Sequence, residues 1–303
     1  MKDSNPNIGL AKICRLFGVT RQAYYQHLYQ CMDTEIEHEL IVQQVRRIRQ
    51  QHPRIGTRKL YVMLEEFMFE HQIKMGRDAL FNLLAVHNML IRRRKRLIKT
   101  TQSHHWLKKY PNLIKGFIPT RPDELYVSDI TYWKIDQGYV YISLITDAYS
   151  HKIVGYHVSD TLEAESSLKA LQMALSAFEW AESHLQLTHH SDRGIQYCSA
   201  KYVKLLQDYN IRISMTENGD PLENSIAERI NGILKEEYLN CYEVKNLYQA
   251  RELLKQVIKQ YNEQRPHMSI GYLVPEKVHC HLLNKGEKKW RSYYQKKEVV
   301  NQF

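Results

Sequence analysis

The sequence predicts an α/β protein in which a helical, basic front part precedes a mixed β-sheet core. Up to about residue 90, apolar residues recur at helical spacing, and from residue 124 strand-like runs alternate with helices. The charge changes near the same point. Residues 1–120 hold 21 Lys/Arg against 9 Asp/Glu, and residues 121–303 hold 22 against 24. We expect the front part to bind a polyanion, and we favour nucleic acid. The alternative is a basic surface that only aids solubility.

Composition excludes several classes of protein. With 303 residues and 43% hydrophobic content, the chain is long enough for two or three domains. No run approaches the ~20 apolar residues of a membrane helix, and the polar start lacks the apolar core of a secretion signal. The five cysteines are scattered without a CxxC pair, which argues against a structural zinc finger and favours a reducing cytoplasm.

Residues 1–34 have the pattern of a helix-turn-helix. The spacing predicts a helix over 8–17, a left-handed stop at Gly18, and a second helix over 21–28 capped by Thr20. This pattern is typical of DNA-reading motifs, and a plain αα-hairpin remains the alternative.

Residues 35–98 are expected to form a helical DNA-binding domain. Helices are predicted over 35–51, from Thr57 onward, and over 77–89, the last being the candidate recognition helix with Arg77 at its start. A dense basic run follows, and we expect it to lie along DNA phosphates. Its residues are Arg92, Arg93, Arg94, Lys95 and Arg96. A basic linker over 99–122 leads into the core.

The core is predicted over 123–265. Three strands joined by short turns come first, and then helix and strand alternate until a helix over 222–238. The order βββαβαβα is that of a ribonuclease-H-like fold, in which the first strand lies beside the fourth. A further helix over 247–263 follows. The tail, 266–303, mixes cations with aromatic residues, which suits either DNA contact or a solvated helix.

Three carboxylates stand out in this core. Asp129 and Asp192 lie on the first and fourth predicted strands, and Glu228 lies on the helix, with 35 residues between the last two. Carboxylates have little reason to converge in a low dielectric unless a cation lies among them, and hard divalent metals are the natural occupants. Asp147 also ends a strand, but there we predict a turn role.

The residues around these carboxylates resemble the insertion-sequence-three (IS-three) family of transposases, in its larger open-reading-frame-B protein, within the DDE and retroviral-integrase superfamily. Five ordered motifs over roughly residues 8–278 carry the resemblance. They are Ser128-Asp129-Ile130-Thr131-Tyr132, His190–Tyr197, Ser214-Met215 with Gly219, Glu223–Glu228 and Tyr261–His267. Departures at Glu223 and at 229–231 replace no presumed metal ligand.

The resemblance implies a transposase that cleaves DNA at insertion-sequence ends and transfers strands by 3′-hydroxyl attack on a phosphate. Asp129, Asp192 and Glu228 would hold Mg²⁺ (or Mn²⁺), two ions per site. The implied partners are double-stranded DNA (terminal inverted repeats and target), further copies of the chain, and an upstream-frame protein as partner or fusion. An inactive DNA-binding regulator and a nuclease that cuts without joining are the alternatives.

Three more residues are candidates for supporting roles. Lys235, two helical turns after Glu228, is expected to approach a DNA phosphate or to pair with a neighbouring glutamate. Asn224 would contact DNA or orient the start of the helix. His190 would donate a hydrogen bond that supports Asp192, or is a polar residue satisfied at a strand end.

Overall fold

The computed structural model describes residues 9–92, 106–176, 186–217 and 224–280. The chain divides into two compact units. One unit holds Met1–Gln50 and Met63–Leu90, and the other holds Gln51–Val62 and Ile91–Phe303. In the described part of the chain, none of the helices combines the length and the apolar character that a bilayer crossing requires.

The front unit opens with a helix, a tight turn and a second helix. Helix α1 (Leu10–Leu16) ends before Gly18, which is left-handed at φ 67°, and the Thr20 hydroxyl accepts the Ala23 N–H at 3.0 Å. The predicted break after residue 28 is wrong, because helix α2 runs unbroken over Arg21–Gln51. The stretch between the two predicted helices contains neither glycine nor proline, so nothing in it stops a helix.

Two more helices complete this part of the chain, α3 (Thr57–Glu70) and α4 (Arg77–Val86). The core of the front unit is apolar and comes from one face of each of the longer helices. Its buried residues include Ile41, Val42, Val45, Leu64, Met68, Leu80 and Leu84.

The second unit is built on a five-stranded mixed sheet in the order β3-β2-β1-β4-β5. Strands β1, β2 and β3 form an antiparallel meander, whereas β4 and β5 run parallel to β1. The strands are β1 (Leu125–Ile135), β2 (Gly138–Asp147), β3 (Ile153–Ser159), β4 (Thr188–Ser191) and β5 (Arg212–Met215). This topology confirms the predicted ribonuclease-H-like core.

Helices cover both faces of the sheet. On one face, α5 (Ala164–Ser176) packs over β2 and β3, and α6 (Ala200–Asp208) packs beside β5. Gly155 of β3 lets α5 approach closely, since a Cβ there would meet the Ala170 carbonyl oxygen at 2.2 Å. On the other face lie α7 (Ser225–Ile233) and α8 (Leu247–Glu263).

Helix α7 does not end as a regular α-helix. It continues as a π-helical turn over Leu234–Tyr238 and then a 3₁₀ turn over Leu239–Cys241. The short helix α9 (Pro275–His279) closes the described part of the unit. A π turn admits an extra residue into the helix and changes the direction of the side chains that follow it.

The π turn directs Glu237 into a buried ion network. Its carboxylate accepts two hydrogen bonds from the Arg265 guanidinium, both at 2.8 Å, and one from Lys59 Nζ at 2.8 Å. The Arg265 side chain is only 1% exposed. Burial works to raise the pKa of Glu237, but Arg265 and Lys59 outweigh it and bring this pKa down to about 2. The segment that carries Lys59 therefore helps to stabilise the sheet unit.

We predict that Glu237→Gln destabilises the protein by about 3–5 kcal/mol, because Arg265 would keep a buried charge without its counter-charge. Urea denaturation measures the loss. Glu165→Gln is the matched control, since Glu165 pairs with Lys169 at 3.9 Å on the exposed surface and should change stability by about 0.5 kcal/mol or less.

The same variant also has a pH signature. A depressed carboxyl pKa stabilises the fold above the ordinary value of 4.5, and this contribution is lost as the pH falls toward 2. Between these values the wild type should therefore lose stability faster than Glu237→Gln. Parallel losses in the two proteins would contradict the assigned role of the ion network.

Candidate active site

Asp129 and Asp192 lie side by side at one edge of the sheet. The last parallel pair between β1 and β4 is Val127 with His190, and each aspartate stands two residues beyond its member of that pair. Because side chains alternate along a strand, both aspartates leave the sheet on the same face. Strand β4 ends at Ser191 while β1 continues, so a notch opens beside Asp129.

Glu228 lies in the first turn of α7, and its charge acts on the Asp129 carboxyl. Burial, the carboxylate of Asp192 and, more weakly, that of Glu228 raise the pKa of Asp129 to about 7, against the hydrogen bonds that Asp129 accepts. A carboxylate is sensitive to neighbouring charges in this way only when they lie close to it. The charges of Asp192 and Glu228 thus both act on Asp129, and the grouping of the three residues as one site stays a prediction.

Backbone and amide donors orient the two aspartates. Asp129 accepts the Ile130 N–H at 2.9 Å and the Asn231 side-chain N–H at 2.7 Å, and Asp192 accepts the Gly194 N–H at 2.9 Å. Sequence reasoning missed Asn231. The signal was its position, since it follows Glu228 by three residues and so lies on the same face of α7.

Lys235 lies along β1 from Asp129. Its Nζ donates to the Thr131 hydroxyl at 3.3 Å and stands 4.1 Å from the centre of the Tyr132 ring. Because Thr131 and Asp129 are alternate residues of one strand, they share a face about 7 Å apart. The ammonium group is thus next to the carboxylate notch.

Asn224 and His190 are buried polar residues near the same strands. The Asn224 side-chain N–H donates to the Ser128 carbonyl oxygen at 2.9 Å, which fits the alternative in which Asn224 orients the start of the helix. His190 Nδ1 shares a hydrogen bond with the Ser214 hydroxyl at 2.8 Å, and that hydroxyl accepts the Leu113 N–H. This His190 contact joins β4 to β5 and to the segment before β1.

The predicted DNA-contact residues of the front part are only partly described. Arg77 opens α4 and donates to Asp78 at 2.9 Å. Arg92 is exposed, and its carbonyl oxygen accepts from the Arg54 guanidinium. Arg93, Arg94, Lys95 and Arg96 lie outside the described residues, as does the basic tail after residue 280.

A second cluster of residues of the kinds that bind metals lies where β2 ends. In the described ranges, Asp123, Asp147 and His279 are the group of three whose potential ligand atoms all lie within 4.8 Å of one another. Asp147 already accepts the Ser150 N–H and hydroxyl at 2.6 Å each and the Asp123 N–H at 2.8 Å. These bonds close the turn after β2, as the sequence predicted for Asp147.

The donor set at the notch fits a hard divalent cation. It offers carboxylate oxygens, the ligands that Mg²⁺ and Mn²⁺ take in proteins, and it offers neither thiol nor imidazole among Asp129, Asp192 and Glu228. The raised pKa of Asp129 fits the same conclusion, since a bound cation would relieve the repulsion among these groups.

We predict that Asn231→Ala moves cation binding to higher pH. The amide donor lowers the pKa of Asp129, so its loss should raise that pKa above about 7 and leave more of the carboxyl protonated at neutral pH. Affinity for Mn²⁺ at pH 7 should fall about tenfold, the worth of one hydrogen bond to a charged group. Asn240→Ala, on the exposed surface, is the control. An unchanged pH profile for Asn231→Ala would contradict the assignment.

Comparison with known proteins places this chain in a family. Integrase core domain models match residues 119–221 and 209–275. The chain is 32% identical over 279 residues to the "Insertion element IS600 uncharacterized 31 kDa protein" of Shigella sonnei, which covers 88% of this chain and 98% of that protein.

Two named transposases match as well. The transposase for insertion sequence element IS629 of Shigella sonnei is 31% identical over 224 residues, 74% of this chain and 73% of its own. Transposase InsF for insertion sequence IS3A of Escherichia coli (strain K12) is 32% identical over 179 residues, 57% and 59% of the two chains. The resemblance found in the motifs is thereby confirmed: the chain belongs to the IS-three family of insertion-sequence transposases, which are DDE polynucleotidyl transferases acting on DNA.

Proposed function

We propose that this transposase cleaves DNA at the ends of its insertion sequence and joins the freed 3′-hydroxyl to a phosphate of target DNA. The observation that supports the proposal is the placement of Asp129 and Asp192 on adjacent parallel strands, where burial and the charges of Asp192 and Glu228 raise the pKa of Asp129 to about 7. Both steps are in-line displacements at a phosphate, so one site serves for cutting and for joining.

Enzymes with this core generally depend on divalent metal ions. Two Mg²⁺ ions held by the three carboxylates would polarise the phosphate and stabilise the attacking and leaving oxygens. The chain's own groups fix the ligands. Asn231 and the Ile130 N–H hold the two oxygens of Asp129, and the Gly194 N–H holds one oxygen of Asp192. Oriented in this way, the carboxylates need little rearrangement to bind a cation.

Lys235 supplies positive charge beside the reacting phosphate in this proposal. Its Nζ sits over Tyr132 and against Thr131, where a phosphate next to the scissile one can accept a hydrogen bond from it. We further propose that Arg77 and the basic run from Arg92 to Arg96 contact phosphates away from the site and add affinity without reading sequence.

The assembly and the domain division also belong to the proposal. We infer that several copies act together on the paired terminal repeats, and that an upstream-frame protein adds DNA-binding helices as a partner or a fusion. The division into 1–34, 35–98, 99–122, 123–265 and 266–303 remains our functional scheme. Sedimentation of the protein with end-containing DNA tests the assembly, and one copy per DNA end without pairing would contradict it.

We predict that Asp192→Asn abolishes cleavage and strand transfer while DNA binding stays within about twofold of wild type. Asparagine keeps an oxygen for the Gly194 N–H but removes a charged ligand. A labelled terminal-repeat DNA with Mg²⁺ reports both steps. Asp208→Asn, at the exposed end of α6, is the matched control and should keep full activity. Joining by the Asp192 variant would refute the assignment.

The same Asp192 variant should become more stable in metal-free buffer at pH 8. Removing one charge lowers the pKa of Asp129 toward its ordinary value and relieves repulsion in the notch. A rise in Tm of about 2–4 °C corresponds to ~1 kcal/mol for a domain of this size. Differential scanning calorimetry with a chelator measures the change, and a lower Tm would show that the carboxylates do not repel one another.

We predict that Lys235→Ala lowers kcat/KM for strand transfer about tenfold and reduces the salt dependence of DNA binding by about one phosphate contact. Lys235→Arg should recover most of the loss, because it restores the charge. Lys204→Ala, on the exposed face of α6, is the control. Equal losses in the alanine and arginine variants would mean that Lys235 acts through packing.

A further inference from the structure

The front half of helix α2 carries a stripe of exposed apolar side chains. The helix buries residues only in its second half, at Ile41, Val42 and Val45. Before them, five large apolar residues are each between 41% and 62% exposed. They are Tyr25, Leu28, Tyr29, Met32 and Ile36, and we call them the α2 stripe. At 100° per residue all five fall within an arc of about 100° on one side of the helix. A contiguous apolar surface of this kind marks a site of interaction.

The spacing within the α2 stripe indicates that its partner is another helix. Tyr25, Tyr29, Met32 and Ile36 follow one another at intervals of four, three and four residues. This is the 3.5-residue repeat of helices that pack side by side as a coiled coil. Leu28 lies beside the seam that these four residues form, and it widens the apolar surface.

The charge of this half of α2 suits a protein partner better than DNA. After Arg21 the sequence has no Lys or Arg until Arg46. Four acidic residues lie in between, Asp33, Glu35, Glu37 and Glu39. Proteins bind DNA phosphates where cations cluster, and carboxylates repel them. The plain αα-hairpin is therefore the better interpretation of this stretch, and its apolar side is free to contact protein.

The α2 stripe is complementary to a second copy of itself. In an antiparallel pair centred between residues 30 and 31, Tyr25 of one copy lies level with Ile36 of the other, and Tyr29 lies level with Met32. Every seam residue then meets an apolar residue. An interface of this kind, in which the same patch is used on both copies, is the usual one in two-fold symmetric dimers.

The charges at the two ends of the stripe favour the same arrangement. Arg21 and Glu39 are both exposed, and they lie 18 residues apart, which is five helical turns, on the same side of α2. In the antiparallel pair each Arg21 comes near Glu39 of the second copy. In a parallel pair in register, Glu39 would meet Glu39, and such like-charge contacts oppose association.

We propose that two copies of this chain pair through the α2 stripe, with their α2 helices antiparallel. The paired stretch from Arg21 to Glu39 is about 28 Å long. The proposal deepens the proposed function, because it names the surface that joins copies in the assembly inferred there. It rests on the proposed function only for the role of that assembly in transposition.

The test measures the self-association of the full chain by sedimentation equilibrium, without DNA and without metal, over a range of protein concentrations. Wild type should form a reversible dimer. Tyr29→Glu and Ile36→Glu should each raise the dissociation constant of the dimer at least about tenfold, because they bury a charge without a partner in the seam. Glutamate is a good helix former, so circular dichroism should show unchanged helix content.

Tyr248→Glu is the matched control. It places the same charge at a tyrosine that is 73% exposed on α8, outside the stripe, and it should leave the dimer unchanged. A wild-type chain that stays monomeric at all concentrations would overturn the proposal. So would stripe variants that weaken DNA binding and leave self-association as it was, since the stripe would then contact DNA.

A charge reversal tests the antiparallel direction. Arg21→Glu and Glu39→Arg should each weaken the dimer about threefold at low salt, because each change places like charges together at both ends of the pair. The double variant should recover the wild-type dissociation constant. Single and double variants that all match wild type would exclude the antiparallel pairing.

These measurements are independent of the chemistry in the proposed function. Self-association without DNA or metal requires none of the three carboxylates, so a failure of the Asp192→Asn prediction would leave the dimer standing. Conversely, strand transfer by a chain that shows no self-association through α2 would keep the chemistry and remove only this interface.

Discussion

Repulsion among three carboxylates is the constraint around which the catalytic unit is arranged. The fold places Asp129 and Asp192 at equivalent positions of adjacent parallel strands, and the charge of Glu228 on α7 also acts on Asp129. Such an arrangement costs folding free energy wherever all three groups are ionised. It is tolerated because Asn231 and the Ile130 N–H offset part of the cost at Asp129. A bound divalent cation, as in the proposed function, would offset the remaining imbalance.

The other end of the helix that begins with α7 is held by attraction between opposite charges. Glu237 lies between Arg265 and Lys59, so attraction fixes the end of the helix whose beginning carries a repelling carboxylate. The backbone supports the same contact, since the Arg54 N–H donates to the Glu237 carbonyl oxygen at 3.2 Å. Residues 51–62 precede the core by some sixty positions in sequence, and yet they stabilise its catalytic helix.

The sequence was sufficient to predict the order of strands and helices along the chain, because alternation is a local signal. The pairing of β1 with β4 came from analogy with the ribonuclease-H-like fold, and the structure confirms it. The bounds of α8 match the predicted helix, and Asp147 closes a turn as expected. Contacts that depend on tertiary packing could not be read in the same way. The ion network of Lys59 joins residues 178 positions apart. Helix α2 is continuous because the stretch between the two predicted helices contains no helix-breaking Gly or Pro, although its apolar spacing is interrupted there. The role of Asn231 was not predicted because it depends on a contact with Asp129 of β1, and the sequence of the helix does not show which strand lies beside it.

The π turn after α7 limits how this enzyme can be recombined with its relatives. Asn231 and Lys235 must face β1 while Glu237 faces Arg265, and the wide turn over Leu234–Tyr238 reconciles these two directions. A chimera that imported the segment from a homologue lacking the additional residue would rotate everything downstream by roughly 100°. Either the catalytic groups or the salt bridge would then be lost, so any exchange of modules should carry the helix, the turn and Arg265 together.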